Sequence, residues 1–320
     1  MSLNPELEAF LELAEDGRSL NGALHEMTVE QARSIFAETS RQLRWAAPED
    51  VQVDELRFAT RDGAQRDLRL YRTRSGGTAP APVLLYLHGG GYVVGSLDSH
   101  DGVCREFCAR VACAVLAVDY RLAPEARFPT ALDDAVDALG WLAKHGRELG
   151  LDPQRVVFAG DSAGATLAAV LAIQAVRPAQ SQAIVPIAQL LCYPVADASR
   201  RSSSMELFSE GYLLESDTLE WFYGLYARSP EDRYDWRFSP LLTPSLEGVA
   251  PAIVALAGLD PLLDEGRAFA QRLQHEGVAV TLREYPGLTH DFMRLRGVTP
   301  IIDTVYAELA GLLQEAFERR

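Results

Sequence analysis

The segment VVFAGDSAGATLAAVLAIQ, residues 156–174, decides the fold because a buried strand turns abruptly into a helix within it. The apolar run 156–159 has the length of a buried strand, and the alanine-rich run that follows is long enough for a helix. Ser162 stands at the junction, between Gly160 and Gly164. A sharp strand-to-helix turn of this pattern exposes the serine hydroxyl as a nucleophile. The alternative is a tight packing turn in which the serine is incidental.

A second glycine cluster, LYLHGGGYVVGS at residues 85–96, follows the apolar run 83–87. It lacks the lysine of a phosphate-binding loop, and valine at position 94 breaks the dinucleotide-binding glycine pattern. Consecutive glycines let backbone amides converge on one point, so with the Ala163 amide they predict an oxyanion hole. His88 and Gly89 are predicted to support this loop, and His88 is not taken as a catalytic base.

A serine nucleophile needs a base, and the base needs an orienting acid. In this type of fold the order along the chain is Ser, then Asp or Glu, then His, and only His275 and His290 follow Ser162. His275 ends a predicted helix, whereas His290 lies in a loop, so His290 is the predicted base. Asp260 ends the preceding strand and is the predicted acid, with Asp264 as a supporting carboxylate or a helix-start residue. The two aspartates beside the nucleophile and the base, Asp161 and Asp291, are not predicted to be the triad acid.

Alternating and continuous apolar runs predict an α/β protein with an eight-stranded, mostly parallel sheet flanked by helices. Two half-buried strands at 51–58 and 66–72 precede strands at 83–87, 114–119, 156–159, 187–192, 252–257 and 278–285. Helices are predicted at 101–111, 131–148, 163–176, 264–275 and 301–317. Residues 1–45 are predicted to be helical, with a capping box at Thr28 and Gln31, and 75–82 to be a linker. The span 194–251 lacks a buried strand and is predicted to be a helical insertion.

The composition and charge of the chain indicate which binding partners and which cellular compartment to expect. A net charge of −15 over 320 residues disfavours binding to nucleic acid. The acidic start has no signal-peptide pattern, and no apolar stretch is long enough for membrane insertion. The helix face of His100, Cys104 and Cys108 could suggest a metal site, but no fourth ligand is apparent, so no metal is predicted. Four cysteines without a CxxC pair indicate reduced thiols and a cytoplasmic protein.

Together, these motifs resemble the bacterial hormone-sensitive-lipase-like carboxylesterases (family IV). The resemblance is carried by HGGG at 88–91, YRLAPE at 120–125, GDSAG at 160–164, DPL at 260–262 and His290-x-Phe292. It implies an α/β-hydrolase fold with a helical cap built from 1–45 and 196–245, on a core of 46–195 and 246–320. It also implies Gly90, Gly91 and Ala163 as oxyanion donors, no cofactor, and a homodimer by analogy.

The predicted activity is hydrolysis of short- to medium-chain acyl esters, small molecules, through a Ser162–His290–Asp260 acyl-enzyme mechanism. Tyr92, Phe208 and Tyr212 are predicted to bind substrate. Further aromatic residues of the cap could line the same pocket, namely Trp221, Phe222, Tyr223 and Tyr226, but plain packing of the cap onto the core explains the cap aromatics better. An amidase or arylformamidase with the same triad remains an alternative, as does a non-catalytic ligand-binding receptor on the same scaffold. Asp291 stands where relatives often have glycine, and we hypothesise that it raises the pKa of His290.

Overall fold

A computed structural model describes residues 3–74, 80–177 and 183–319. Within these residues, eight strands form one sheet in the spatial order β1-β2-β4-β3-β5-β6-β7-β8. Strand β2 runs antiparallel to β1 and β4, and all other neighbouring pairs are parallel. The predicted eight-stranded, mostly parallel sheet is therefore confirmed. The strands are β1 Val51–Ala59, β2 Gln65–Thr73, β3 Ala81–Leu87, β4 Ala114–Val118, β5 Leu151–Asp161, β6 Ala188–Cys192, β7 Ala252–Leu259 and β8 Val280–Thr289.

Helices cover both faces of the sheet because the central strands are apolar on both sides. One buried cluster joins the sheet to α4 Thr130–His145, α5 Ala163–Ala175 and α8 Leu263–His275. The other joins the opposite face to α3 Asp101–Val111 and α9 Ile301–Glu318. Strands β4, β6 and β7 are buried along their whole length, which agrees with a doubly covered parallel sheet.

The N-terminal region forms α1 Pro5–Asn21, a short 3₁₀-helix at Leu24–Glu26, and α2 Val29–Gln42. The predicted capping box is confirmed: the Gln31 amide donates to the Thr28 hydroxyl at 3.2 Å, and the Thr28 amide donates to the Gln31 side chain at 3.0 Å. The insertion after β6 contains α6 Ser203–Leu207 and α7 Ser216–Tyr226. Arg18 forms an ion pair with Glu215, and His25 Nδ1 lies 3.1 Å from the Thr218 hydroxyl. The two helical segments therefore contact one another at the start of α7.

The boundaries differ most from the predictions at two strands and one helix, and β3 also begins earlier than predicted, at Ala81 within the predicted linker 75–82. Strand β5 begins at Leu151 rather than near 156, because Leu151 pairs with Ala81 of β3. Pairing with β3 then resumes at Val156 after a register irregularity. Strand β8 continues to Thr289, past Pro286, because pairing with β7 resumes after a register shift. Helix α4 gives way at Gly146 to a 3₁₀ turn that ends at the left-handed Gly150. Positions 75–79 of the predicted linker lie outside the described residues.

Within the described residues, no helix has both the length and the apolar character needed to cross a membrane.

Candidate active site

The loops that follow β3, β5, β7 and β8 meet at one edge of the sheet. Because these strands are parallel, their carboxyl ends share that edge, and Leu87 of β3 is in register with Gly160 of β5. The glycine loop follows β3 and Ser162 follows β5, while Asp260 and His290 directly follow β7 and β8. The topology thus brings together residues that are far apart in the sequence.

Three of the predicted residues form a continuous hydrogen-bonded chain. The Ser162 hydroxyl lies 2.9 Å from His290 Nε2, and His290 Nδ1 lies 2.7 Å from Asp260 Oδ2. The second oxygen of Asp260 accepts the Leu262 amide at 2.9 Å, which fixes the carboxylate. All three side chains are buried. In this arrangement His290 donates from Nδ1 to the acid and can accept the serine proton at Nε2.

The charged groups around His290 change the pKa of its imidazole. Burial by itself lowers the pKa of this imidazole, but the adjacent Asp260 carboxylate and, more weakly, Asp291 and Asp161 raise it above its ordinary value. The surrounding carboxylates therefore stabilise the protonated imidazole that forms when the serine loses its proton.

The turn at Ser162 is strained, as expected for a nucleophile at a sharp strand-to-helix turn. Its φ is 51° and its ψ is −125°, a conformation that side-chain-bearing residues rarely adopt. Two glycines make the turn possible, since a Cβ on Gly164 would lie 2.0 Å from the Leu87 carbonyl oxygen. A Cβ on Gly160 would lie 2.5 Å from the same oxygen. Close packing of β3, β5 and α5 therefore requires glycine on both sides of the serine.

The glycine loop and the triad open into one small cavity of about 100 Å³. Gly90 and Gly91 line it with Ser162 and His290, and Ala163 is the first residue of α5. First-turn amides lack an intrahelical acceptor, so the Ala163 amide is available to a ligand. Both loop glycines have left-handed φ angles, 116° and 58°. The remaining lining is mainly apolar: Leu24, Phe36, Val94, Val195, Leu213, Leu214, Thr218, Leu219, Phe222, Tyr223 and Asp291.

Asp161 has a structural role that was not predicted from the sequence. Its Oδ1 accepts the Tyr86 hydroxyl at 2.7 Å and the Gly89 amide at 3.1 Å, while His100 Nε2 lies 3.2 Å from Oδ2. Burial alone would raise the pKa of Asp161, but His100 and the Tyr86 hydrogen bond lower it to about 2. Asp161 thus ties the glycine loop to the nucleophile turn. The sequence feature that could have indicated this role is the position of Asp161 at the end of a buried strand, because a buried charge requires hydrogen-bond partners.

His88 supports the glycine loop from within. Its Nδ1 lies 2.7 Å from the Gly89 carbonyl oxygen, and its own carbonyl accepts the Tyr120 hydroxyl at 2.7 Å. Burial and the neighbouring His100 lower the pKa of His88 to about 3, so the ring is neutral. This placement agrees with a supporting role and with the exclusion of His88 as a base.

The residues best placed to hold a metal ion are His100, Asp161 and Asp291, whose ligand atoms lie within 4.8 Å of one another. Asp161 is already engaged by Tyr86, Gly89 and His100, and Asp291 pairs with Arg294. His100 also belongs to the helix face considered from the sequence, whose other members, Cys104 and Cys108, are buried free cysteines of α3. These contacts satisfy the donors and acceptors as a hydrogen-bond network.

The three predicted substrate-binding aromatics do not line the catalytic cavity in the described part of the chain. Tyr92 is buried and stacks on Tyr226 with ring centroids 3.9 Å apart. Phe208 and Tyr212 contact each other edge to face at 5.2 Å. Phe222 and Tyr223 of α7 line the cavity instead. Periodicity placed aromatic residues on α7 but did not distinguish the face toward Ser162 from the face toward the core.

Comparison with known families and proteins agrees with this geometry. A family model described as the alpha/beta hydrolase fold matches residues 84–294. An ethyl acetate hydrolase of Pseudomonas putida is 47% identical over 318 residues, which cover 98% of this chain and 99% of that protein. An arylesterase of Saccharolobus solfataricus is 30% identical over 99% of this chain and 100% of that protein.

Solved structures of ester hydrolases have the same fold as this chain. An ester hydrolase from the metagenome of Lake Arreo, complexed with a derivative of bipyridine phosphonate, superposes with a TM-score of 0.93 at 34% identity, covering 99% of each chain. A hyperthermophilic esterase of Pyrobaculum calidifontis superposes with a TM-score of 0.91 at 33% identity, covering 98% of this chain and 99% of that one.

Proposed function

Because this chain belongs to the alpha/beta hydrolase fold family, and within it to the hormone-sensitive-lipase-like carboxylesterases, we propose that it hydrolyses carboxylic esters through Ser162, His290 and Asp260. The observation that carries this proposal is the hydrogen-bonded chain from the Ser162 hydroxyl through His290 to Asp260, 2.9 Å and 2.7 Å long at its two steps.

The reaction proceeds by two acyl transfers. The Ser162 oxygen attacks the ester carbonyl carbon while His290 Nε2 takes the hydroxyl proton, and Asp260 stabilises the imidazolium. The carbonyl oxygen becomes an oxyanion held by the amides of Gly90, Gly91 and Ala163. His290 then protonates the departing alcohol. Water repeats the sequence on the acyl-enzyme and releases the carboxylic acid and free serine.

The form of the cavity supports a short acyl group as the preferred substrate. The cavity at Ser162 has a volume of only about 100 Å³, and Phe222 lies against Gly91 on one side of it. The relative at 47% identity is an ethyl acetate hydrolase by name, which supports acetate esters as a starting point. Longer chains would have to extend past Leu24, Leu213 and Thr218.

The test is turnover of p-nitrophenyl acetate, butyrate and octanoate by the native chain and by Ser162→Ala. We expect Ser162→Ala to lower kcat by about 10⁴-fold to 10⁶-fold, because the nucleophile is lost. Replacement of an exposed serine on α6, Ser203→Ala, should leave kcat unchanged. Full activity in folded Ser162→Ala would contradict the proposal. Measuring the matching p-nitroanilides alongside separates an esterase from an amidase.

We further propose that 1–45 and 196–245 act as a cap over a core of 46–195 and 246–320. The ion pair between Arg18 and Glu215 supports this division, as does the share of both segments in the cavity lining, through Leu24 and Phe222.

Location and assembly are inferred from two further features. The buried free thiols of Cys104, Cys108, Cys113 and Cys192 support a cytoplasmic protein. Strand β8 is at the edge of the sheet and has β7 as its only partner strand among the described residues, which supports a homodimer formed edge to edge. Light scattering after size exclusion tests the assembly, and a monomeric mass would contradict it.

A further inference from the structure

A cavity of about 230 Å³ lies apart from the catalytic cavity and shares no lining residue with it. Its walls come from the end of α2, the segment that follows, the start of α3, and Arg294 after the catalytic histidine. Three arginines line it, Arg44, Arg105 and Arg294, against a single carboxylate, that of Asp101. A concentration of positive charge is unusual in a chain with a net charge of −15. The side chains that line this cavity therefore favour an anion as its ligand.

The most buried of these arginines has an unused donor. The Arg294 side chain is only 6% exposed, and its two terminal nitrogens donate to Asp291 and to the Ser40 hydroxyl. Its Nε has no partner among the described residues. A buried N–H without an acceptor is costly, and a guanidinium group offers five donors in a fixed plane. Because Arg294 lines the cavity, an oxyanion there would lie against this guanidinium group.

The start of α3 adds backbone donors to the same cavity. Gly102 is in the first turn of this 11-residue helix and lines the cavity. Amides of the first turn lack intrahelical acceptors, and the positive end of the helix dipole favours an anion. The neighbouring Asp101 carboxylate is already engaged, since it accepts from Arg105 Nε at 2.7 Å and from the Tyr71 hydroxyl at 3.1 Å.

Arg44 lies on the exposed side of the cavity. It has no ion pair within the described residues, and its hydrogen bond to the Asp98 carbonyl oxygen is long, 3.4 Å. The arginines thus run from buried Arg294 through half-buried Arg105 to exposed Arg44. Such a gradient both attracts an anion from solvent and binds it away from water.

We propose that this cavity is a binding site for a small oxyanion, a molecule bearing a carboxylate or a phosphate group. The planar guanidinium groups match either group with paired hydrogen bonds. The volume suits a small metabolite or an inorganic ion rather than a polymer. The site does not depend on the esterase activity, because none of its lining residues belongs to the triad or the glycine loop.

The test is isothermal titration of the full chain with sodium phosphate and with sodium acetate, with sodium chloride at equal ionic strength as the reference. We expect saturable binding of phosphate, acetate or both. Arg44→Gln should weaken it about two- to fivefold, as for an exposed charge contact. Arg41→Gln, one turn earlier on α2 and outside the cavity, should leave the affinity unchanged.

Binding of both anions would show that the site accepts phosphate and carboxylate groups alike. Binding of only one anion would show which of the two groups the site recognises. Acetate also resembles a reaction product, so its binding counts only if Arg44→Gln weakens it. No heat beyond that of chloride would overturn the proposal, as would equal effects of Arg44→Gln and Arg41→Gln. Arg105→Gln is a second variant whose weakened binding would support the same site without disturbing buried Arg294.

Discussion

At the scale of single residues, the carboxylate of Asp291 directly follows the predicted base, His290. Asp291 has a left-handed φ of 65°, lines the catalytic cavity and pairs with Arg294. Its carboxylate is one of the groups that raise the pKa of His290, after Asp260. Arg294 offsets part of that charge, so the net influence of Asp291 depends on the pair.

Asp291→Asn is expected to shift the pH dependence of hydrolysis. Removing the carboxylate removes a contribution that raises the pKa of His290, so this pKa falls. Only the neutral imidazole can accept the serine proton, and activity is lost as the pH drops through this pKa. The acid limb of kcat/KM should therefore move to lower pH, and the ion pair between Asp291 and Arg294 limits the size of this change.

The control is Asp217→Asn, which removes an exposed carboxylate from the first turn of α7. Its pH profile should match that of the native chain. An acid limb that moves to higher pH in Asp291→Asn, or does not move, would show that Asp291 has no such influence.

The contacts of the triad could be predicted from single residues because each signal is local. Ser162 is marked by its two glycines, Asp260 by its place at a strand end, and His290 by its loop. Their catalytic roles stay predictions. The partners of Asp161 could not be predicted, since Tyr86 and His100 reach it only through the order of the strands.

At the scale of elements, the glycine loop after β3 has little space for side chains and an unusual backbone conformation. A Cβ on Gly91 would lie 2.2 Å from Cδ2 of the Phe222 ring, and its φ of 58° also disfavours a side chain. The loop therefore cannot accept alanine here without moving either its own amides or the Phe222 ring. Consecutive glycines are the sequence signal of that constraint.

Gly91→Ala is expected to lower kcat/KM for p-nitrophenyl acetate by about 10²-fold to 10³-fold, as the loss of one oxyanion donor does. Gly248→Ala is the matched control, because Gly248 has a similar φ of 75° and nothing within 4 Å of its added Cβ. Both variants carry the same backbone strain, so a similar loss of activity in the two would refute an oxyanion role for the loop.

The positions of elements with a strong pattern of apolar residues could be predicted from the sequence. Strand ends that depend on hydrogen bonds to a neighbouring strand could not. The apolar centres of β3, β4, β6 and β7 agree with their predicted spans within a few residues. The start of β5 and the end of β8 depend on hydrogen bonds to neighbouring strands, which outweigh the local polar or proline residues. For the same reason the cavity-facing side of α7 was beyond prediction, since tertiary packing selects it.

At the scale of the whole molecule, the N-terminal region and the insertion both contribute side chains to the cavity at Ser162, for example Leu24 and Phe222. A groove of about 660 Å³ runs along α1 and α2, lined by apolar residues that include Phe10, Leu11 and Leu13. Leu24, Leu213 and Thr218 line both this groove and the catalytic cavity. The groove therefore meets the small acyl cavity at these three side chains.

Leu24→Ala is expected to favour longer acyl chains by widening that junction. The ratio of kcat/KM for p-nitrophenyl octanoate to that for the acetate should rise, since each methylene that gains apolar contact contributes up to about 0.8 kcal/mol. The acetate itself is bound at Ser162 and should be affected little. Leu13→Ala is the control, because Leu13 lines only the outer groove and is 70% exposed. An unchanged ratio in Leu24→Ala, or an equal rise in Leu13→Ala, would mean that longer chains leave the catalytic cavity by another route.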